Sequence, residues 1–176
     1  MFYHEGVRFR NVEPQDLENL RAMRNDPSTW INLTGIRHIT PGDQEDWFDS
    51  LQSDKQREYF TALTESGEFL GMIRTDEIDT VNRSIRVGLD IAVDKRGQGW
   101  GTKVYTALLK WLFDYMGYHR VWLYTLTFNQ PGLRLYRRVG FSVEGVMKES
   151  IWRDGAWWDC IIMSILEDEY RNGAKP

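Results

Sequence analysis

Three glycines occupy alternate positions, Gly97, Gly99 and Gly101, in the stretch LDIAVDKRGQGWGTKVYTALLKWLF. They separate an alternating apolar run from a run of helical period, so the segment predicts strand, tight turn and helix in that order. The first N–H groups of a helix have no intrahelical acceptor, and its dipole favours negative charge there. Glycine lets an anion approach that backbone with no Cβ in the way. The segment is therefore expected to hold phosphate. Two familiar phosphate loops fail on spacing: GQGWGT lacks the GxGxxG separation of the dinucleotide fingerprint, and Gly101-Thr102-Lys103 lacks the GxxxxGK[ST] order of a P-loop.

The remaining chain alternates strand and helix signals without internal repeats or low-complexity tracts. VRFRNV reads as a strand, and Pro14 opens a helix with Leu17, Leu20 and Arg24 on one face. Thr40 caps a second helix whose apolar side is Trp47, Phe48 and Leu51. EYFTALTE and EFLGMIRT form a hairpin through Ser66-Gly67, with Asp76 and Glu77 in the loop that follows, and SIRVGLDIAV comes after a polar turn at Asp79 to Arg83. A helix is expected from about Thr102 to Met116 along Val104, Leu108, Leu112 and Tyr115. A strand at HRVWLYTLT, a short helix from Gly132 to Val139 and two strands around Arg153-Asp154-Gly155 complete the order. The fold class is α/β in the α+β sense, a mixed sheet flanked by helices.

Composition narrows the function. With 176 residues, 41% of them hydrophobic, the chain can bury one sizeable core, and no Pro/Gly/Ser-rich linker divides it, so one domain is expected over 1–176. The formal net charge of −4 gives no sequence-wide basic footprint, which argues against a nucleic-acid partner; membrane binding is equally unsupported. MFYHEGVRFR lacks the uninterrupted apolar stretch of a signal peptide and no apolar run is long enough to span a bilayer, so a soluble, cytoplasmic protein is expected. Cys160, the lone cysteine, reads as a small core residue, and the three histidines have no ligand spacing, so no metal site is expected.

Arg96-Gly97-Gln98-Gly99-Trp100-Gly101 matches the RxxGxG signature of the GNAT superfamily of N-acetyltransferases, and Asn129-Gln-Pro-Gly-Leu-Arg-Leu-Tyr136-Arg-Arg-Val-Gly140-Phe141 resembles the family's NxxAxxLYxxxGF signature. The segment FSVEGVMKESIWRDGAWWDCIIMSI is similar to the C-terminal strand pair of the branch containing ribosomal-protein and spermidine acetyltransferases. The resemblance is closest over residues 85 to 170. It implies a GNAT-like, mostly antiparallel central sheet with helices on both faces. It divides the chain into an acceptor-side half at 8–80, a pyrophosphate-binding strand, loop and helix at 84–116, and a C-terminal half with the catalytic helix at 119–170.

The resemblance also implies acetyl transfer from acetyl-CoA, the cosubstrate, to a primary amine. Carried over by position, Arg96, Gly97, Gln98, Gly99, Trp100, Gly101 and Thr102 would hold the pyrophosphate. Leu89, Asp90 and Ile91 would pair with the pantetheine arm through their main chain, Asn129 would bond that arm, and Tyr136 would protonate the departing thiolate. Gly132 stands where the family usually has alanine, and Pro131 precedes it, so a later helix start is expected. Where several relatives carry a glutamate base, this chain has Arg86. Asp90 is the leading replacement, with Asp76 and Glu77 behind it and a water chain without a dedicated base as the alternative.

The acceptor side is read from LRAMRNDPSTWINLTGIRHITPGDQEDWF. Arg24-Asn25-Asp26-Pro27 resembles acetyltransferases of 4-amino sugars on nucleotide carriers, which points to Arg24, Asn25, Trp30 and Trp47 as substrate residues. Arg37 and His38 are further candidates for meeting a diphosphate. A small-molecule amine, an amino-sugar nucleotide ahead of a polyamine, is the expected acceptor. A protein or peptide N-terminus is the alternative, and a CoA-binding module without turnover is a reading of another class. A homodimer is compatible with all three.

Overall fold

The computed structural model describes residues 1–51, 53, 54 and 56–173. Eight strands form one sheet: β1 (Phe2–His4), β2 (Val7–Asn11), β3 (Glu58–Thr64), β4 (Phe69–Asp79), β5 (Ser84–Ile91), β6 (Arg120–Leu126), β7 (Ser142–Arg153) and β8 (Ala156–Leu166). Their spatial order is β1-β2-β3-β4-β5-β6-β8-β7, and every neighbouring pair is antiparallel except β5 and β6. The helices are α1 (Leu17–Asn25), α2 (Pro27–Trp30), α3 (Pro41–Ser50), α4 (Trp100–Lys110), α5 (Gln130–Arg138) and α6 (Glu167–Gly173). None of them is long and apolar enough to cross a membrane.

Period-two burial divides the sheet into two faces. On one face Val7, Phe9, Ile73, Ile85, Val87 and Leu123 pack against Val104, Leu108 and Leu112 of α4 and its continuation. On the other, Met72 meets Leu20 and Met23 of α1, with Trp47 and Phe48 of α3 alongside. The helices therefore lie on both faces, as expected. Cys160 is buried on β8. Thr40 caps α3 through a capping box with Asp43.

Several local expectations are corrected. Strand β1 returns through Glu5-Gly6 to pair with β2, and α2 and α6 are elements that short, weakly periodic sequence did not reveal. Asp76 and Glu77 lie within β4, not in a loop, because β4 pairs with β5 through Asp76↔Arg86 and Asp79↔Ser84. Helix α4 starts at Trp100 and ends in a π turn over Trp111–Tyr115, which carries Tyr115 onto the surface rather than into the core. Helix α5 starts at Gln130, not Gly132. Asn129 is its N-cap, and its side-chain oxygen accepts from the Gly132 N–H at 3.1 Å. A Cβ at Gly132 would lie 2.6 Å from Asn129 Nδ2, so glycine in place of the family's alanine leaves room for this cap.

One ion pair ties β6 to the last hairpin. Glu144 on β7 accepts from both terminal nitrogens of Arg120 and from Ser164 Oγ at 2.7 Å. The Arg120 contact lowers the pKa of Glu144 to about 2, against the opposing effect of burial. Its folded-state pKa is depressed, so its contribution to stability is complete above the ordinary glutamate range near pH 4.5 and is lost as pH falls towards 2. Glu144→Gln should therefore flatten the stability curve between about pH 4.5 and 2, measured by denaturant unfolding across that window. An unchanged slope would show that the pair contributes nothing to acid stability.

Candidate functional site

Strands β5 and β6 pair only at Ser84↔Arg120, Ile85↔Val121 and Arg86↔Trp122. Beyond that point they splay, while β5 stays bonded to β4 through Ile91 and β6 to β8 through Leu126. Val87 to Ile91 thus present one row of main-chain N–H and C=O groups to an open gap, with the last carbonyl, that of Ile91, taken by Arg96 Nε. An extended chain can be added to such an edge by main-chain hydrogen bonds.

A cleft of about 440 Å³ runs from this gap to the mouth of α4, walled by Leu89, Asp90, Ile91, Gly97, Gly99 and Gly101 on one side and by Asn129, Gly132 and Tyr136 on the other. The three glycines serve two purposes. Gly97 and Gly99 have φ of +75° and +85°, the left-handed conformation that glycine adopts without strain and that recurs in turns whose successive N–H groups form anion-binding nests. Gly101 sits inside α4, where an added Cβ would lie 3.0 Å from Leu135 Cδ2, so glycine lets the Leu135 side chain of α5 pack closely against α4.

The other loop residues differ in what they offer. Arg96 lines the cleft, but its guanidinium is spent on the fold, donating to the Ile91 carbonyl at 2.9 Å, Ser28 Oγ at 2.8 Å and Thr29 Oγ1 at 2.5 Å. Thr102 lines the cleft too, yet its N–H already donates to the Gly99 carbonyl at 3.1 Å. The Gln98 side chain folds back on the Asp94 carbonyl, and the Trp100 ring lies under Lys103 Nζ at 4.8 Å, so these two residues offer main chain rather than side chain. Arg134 and Arg138 add positive charge to the rim, and Lys95 lines it with its ammonium donating to Glu68 at 3.0 Å.

Tyr136 stands where the cleft meets a second chamber of about 170 Å³ on the other side of the splay, and Asp90, Leu89 and Asn129 are shared walls of both. Its ring packs edge-on against Tyr105, with centroids 5.6 Å apart, and against Phe141. Burial of the phenol, reinforced by the negative charge of Asp90, pushes its pKa up to about 12, with Tyr105, Thr125 and Arg74 acting in the opposite sense. The hydroxyl therefore keeps its proton throughout the neutral range. Asp90 is bonded to Arg24 Nη1 at 3.1 Å. Asp76 and Glu77 are held differently: Asp76 is buried between Arg74 and Arg86, and Glu77 is exposed 3.4 Å from Arg86.

The acceptor-side expectations separate in the same way. Arg24 lines both the inner chamber and an outer one of about 250 Å³, and Trp47 lines the outer one, edge-on to Tyr59 at 5.0 Å. Arg37 reaches the outer chamber, bonded to Asp43. Asn25 does not line any of these three chambers, because its side-chain amide exchanges two 2.8 Å hydrogen bonds with the Ile39 main chain. Trp30 and His38 do not line them either. Arg74 and Thr125 are chamber residues that sequence reasoning missed; the alternation of Met72, Arg74 and Asp76 on one face of β4 was the available signal.

The comparisons with known proteins accord with this arrangement. A spermidine N-acetyltransferase from Vibrio cholerae, whose crystal structure is in complex with CoA and spermine, superposes with a TM-score of 0.89 at 22% identity, covering 95% of this chain and 99% of that one. The spermidine N(1)-acetyltransferase of Escherichia coli (strain K12) is 23% identical over 165 residues, 94% of this chain and 88% of its own length. The L-amino acid N-acetyltransferase AaaT of the same strain is 25% identical over 162 residues, 90% of this chain and 96% of its own. The acetyltransferase (GNAT) domain family matches residues 7–142. With the splayed strands and the glycine nest at the mouth of α4, that match makes the chain a member of the GNAT acetyltransferase family.

Proposed function

We propose that the protein transfers the acetyl group of acetyl-CoA to the primary amine of a small molecule, with Tyr136 as general acid. Support for the cosubstrate comes from the fit of the chain's own groups to it. Gly97 to Gly101 offer main-chain N–H groups to the pyrophosphate, and the free edge of β5 at Leu89 to Ile91 offers a strand partner to the pantetheine arm. Arg134 and Arg138 at the rim suit its remaining phosphate. Acetyl-CoA supplies an activated thioester; the chain aligns the amine with it and manages protons.

The observation that carries the reading is the position of Tyr136, a protonated phenol at the junction of the CoA-side cleft and the acceptor-side chamber. An N–C bond forms as the C–S bond breaks, and Tyr136 donates its proton to the sulfur, where negative charge develops in a site shielded from water. Asp90 accepts one proton from the incoming ammonium, directly or through water, and the proton lost when the amide forms replaces the one Tyr136 gave up. Asn129 lines the cleft and shapes its wall, its side-chain oxygen capping α5 and its Nδ2 donating to Thr125 Oγ1 at 3.2 Å.

A small acceptor is favoured over a protein N-terminus because the acceptor side is divided into two small, partly open chambers of about 170 and 250 Å³ that meet at Arg24 and Arg74. The test is thiol release from acetyl-CoA across polyamines, amino-sugar nucleotides, amino acids and short peptides. Turnover confined to small amines is expected, and turnover confined to peptides would overturn the proposal.

A homodimer belongs to the same reading. Its support is the last hairpin, where β7 leaves an open sheet edge and Val143, Val146, Met147, Trp152 and Trp157 are exposed. Sedimentation velocity at micromolar concentration should give a dimer or larger. A 20.8 kDa species alone would remove the dimer and leave the chemistry untouched.

A further inference from the structure

The inner chamber has an unusual wall for a site that receives an amine. Arg24 of α1, Arg74 of β4 and Arg86 of β5 all line it, and the only carboxylate among the lining residues is Asp90. These groups converge because Met72↔Asp90, Arg74↔Gly88 and Asp76↔Arg86 are paired across β4 and β5, so all six residues share one sheet face. Asp76 lies behind the wall and is shared by two guanidiniums, 3.1 Å from Arg74 Nε and 2.5 Å from Arg86 Nε. Asp90 takes Arg24 at 3.1 Å, and Glu77 contacts Arg86 from the exposed side at 3.4 Å.

The three guanidiniums are not equally committed. Arg86 is bonded to Asp76, close to Glu77, and stacked on Tyr124 with its guanidinium carbon 4.7 Å from the ring centroid. Arg24 uses one nitrogen on Asp90. Arg74 lies near Asp76 only through Nε, at an angle too poor for a hydrogen bond; that nitrogen is buried and has no hydrogen-bond partner among the described residues. The guanidinium of Arg74 rests over a bare position: a Cβ on Gly88 would lie 2.9 Å from its Nη2 and 3.3 Å from Cζ. Arg74 and Arg24 also line the outer chamber, so their charge stands at the passage between the two.

We propose that Arg74 and Arg24 recognise an anionic group on the acceptor, so that the substrate is a primary amine carrying a carboxylate or phosphate rather than a polyamine. This inference rests on the acetyl-transfer reading above and deepens it. The amine sits beside Asp90 and Tyr136, the anion meets the Arg74 fork in the passage, and the body of the molecule extends past Leu33 towards Trp47 and Tyr59. The Leu33 wall is pinned from behind, where its carbonyl accepts from the buried guanidinium of Arg153. A polyamine would bring further positive charge against the Arg24 and Arg74 guanidiniums, which like-charge repulsion opposes in a site partly shielded from water. A carboxylate or phosphate instead gains charge-assisted, forked hydrogen bonds.

The experiment compares matched pairs that differ in the anion. L-phenylalanine is set against phenethylamine for the carboxylate arm, and a UDP-linked amino sugar against the free amino sugar for the phosphate arm, with spermidine as the polycation. In at least one arm the anionic member should have kcat/KM higher by about 10²-fold or more, the size of discrimination expected when a site built to bond a group meets an analogue lacking it. The arm that responds identifies the source of the anion. Arg74→Gln should bring that ratio towards 1, and Arg74→Lys should restore part of it. Gly88→Ala should also reduce it by displacing the guanidinium without removing its charge. A ratio near 1 in both arms, or a preference for spermidine, would overturn the inference while leaving acetyl transfer intact. Calorimetry on the CoA complex provides an independent readout. A complex that binds an anionic member at least about tenfold more tightly than its neutral partner, yet acetylates no amine, would sink the acetyl-transfer reading and keep the anion site.

Discussion

Replacing Tyr136 with phenylalanine should lower kcat by about 10²-fold or more, within the range attributed to a positioned general acid, while the KM for acetyl-CoA changes little. The expectation comes from where the hydroxyl stands. The ring is held edge-on by Tyr105 and Phe141, contacts that phenylalanine keeps, so the substitution removes the proton donor and leaves the packing. Burial and the Asp90 charge keep the phenol protonated, with a pKa of about 12, so wild-type turnover should show no acid-side or alkaline-side limb from Tyr136 below about pH 10. Steady-state kinetics at saturating amine and acetyl-CoA decide the matter. A variant that turns over at the wild-type rate would take Tyr136 out of the mechanism and leave the thiolate to be met by solvent or a dipole.

The second large effect is on cofactor binding. Gly99→Val should weaken acetyl-CoA binding by roughly 10- to 100-fold, the scale of losing one or two hydrogen bonds to a charged group. The reason is conformational, not steric. An added Cβ at Gly99 meets no atom within 4 Å, but the residue sits at φ +85°, a region that a β-branched side chain does not adopt without strain. The loop would leave the left-handed conformation and the N–H groups gathered by Gly97 and Gly99 would diverge. Binding is measured directly by calorimetry with CoA, beside the thermal midpoint. Normal affinity in the variant would show that these N–H groups do not hold the pyrophosphate.

Much of the fold was legible because its signals are local. Alternation in SIRVGLDIAV, the period along Val104, Leu108 and Leu112, the Thr40 cap and the Ser66-Gly67 turn each depend on neighbours in the chain, and the corresponding elements lie close to where they were expected. The errors share a cause. The true length of β4 depends on its pairing with β5, the exposure of Tyr115 on a π turn that local periodicity does not encode, and the start of α5 on how Asn129 folds over Gly132. Arg96 illustrates the limit within a motif. Its place beside the glycines was readable, but its bonds to Ser28 and Thr29 were not, because α2 comes from 68 and 67 residues away in the chain.

The two halves of the site divide along the same line. On the side proposed for the cofactor, the strand at Leu89 to Ile91, the glycine turn and the start of α4 follow one another directly, and Asn129 and Tyr136 belong to one short helix and its cap, so residue order alone places them together. On the acceptor side, Arg24, Arg74, Arg86 and Asp90 come from α1, β4 and β5, and only the packing of α1 over that face and the register of β4 on β5 bring them together. Which guanidinium is hydrogen-bonded to a carboxylate and which is only near one follows from distances and burial, since the energy of a charge depends on how near its counterion lies and how much water remains around it. Neither quantity is written in the spacing of residues, and so the glycine turn before α4 was visible in the chain while the arginine-lined passage became visible only in the fold.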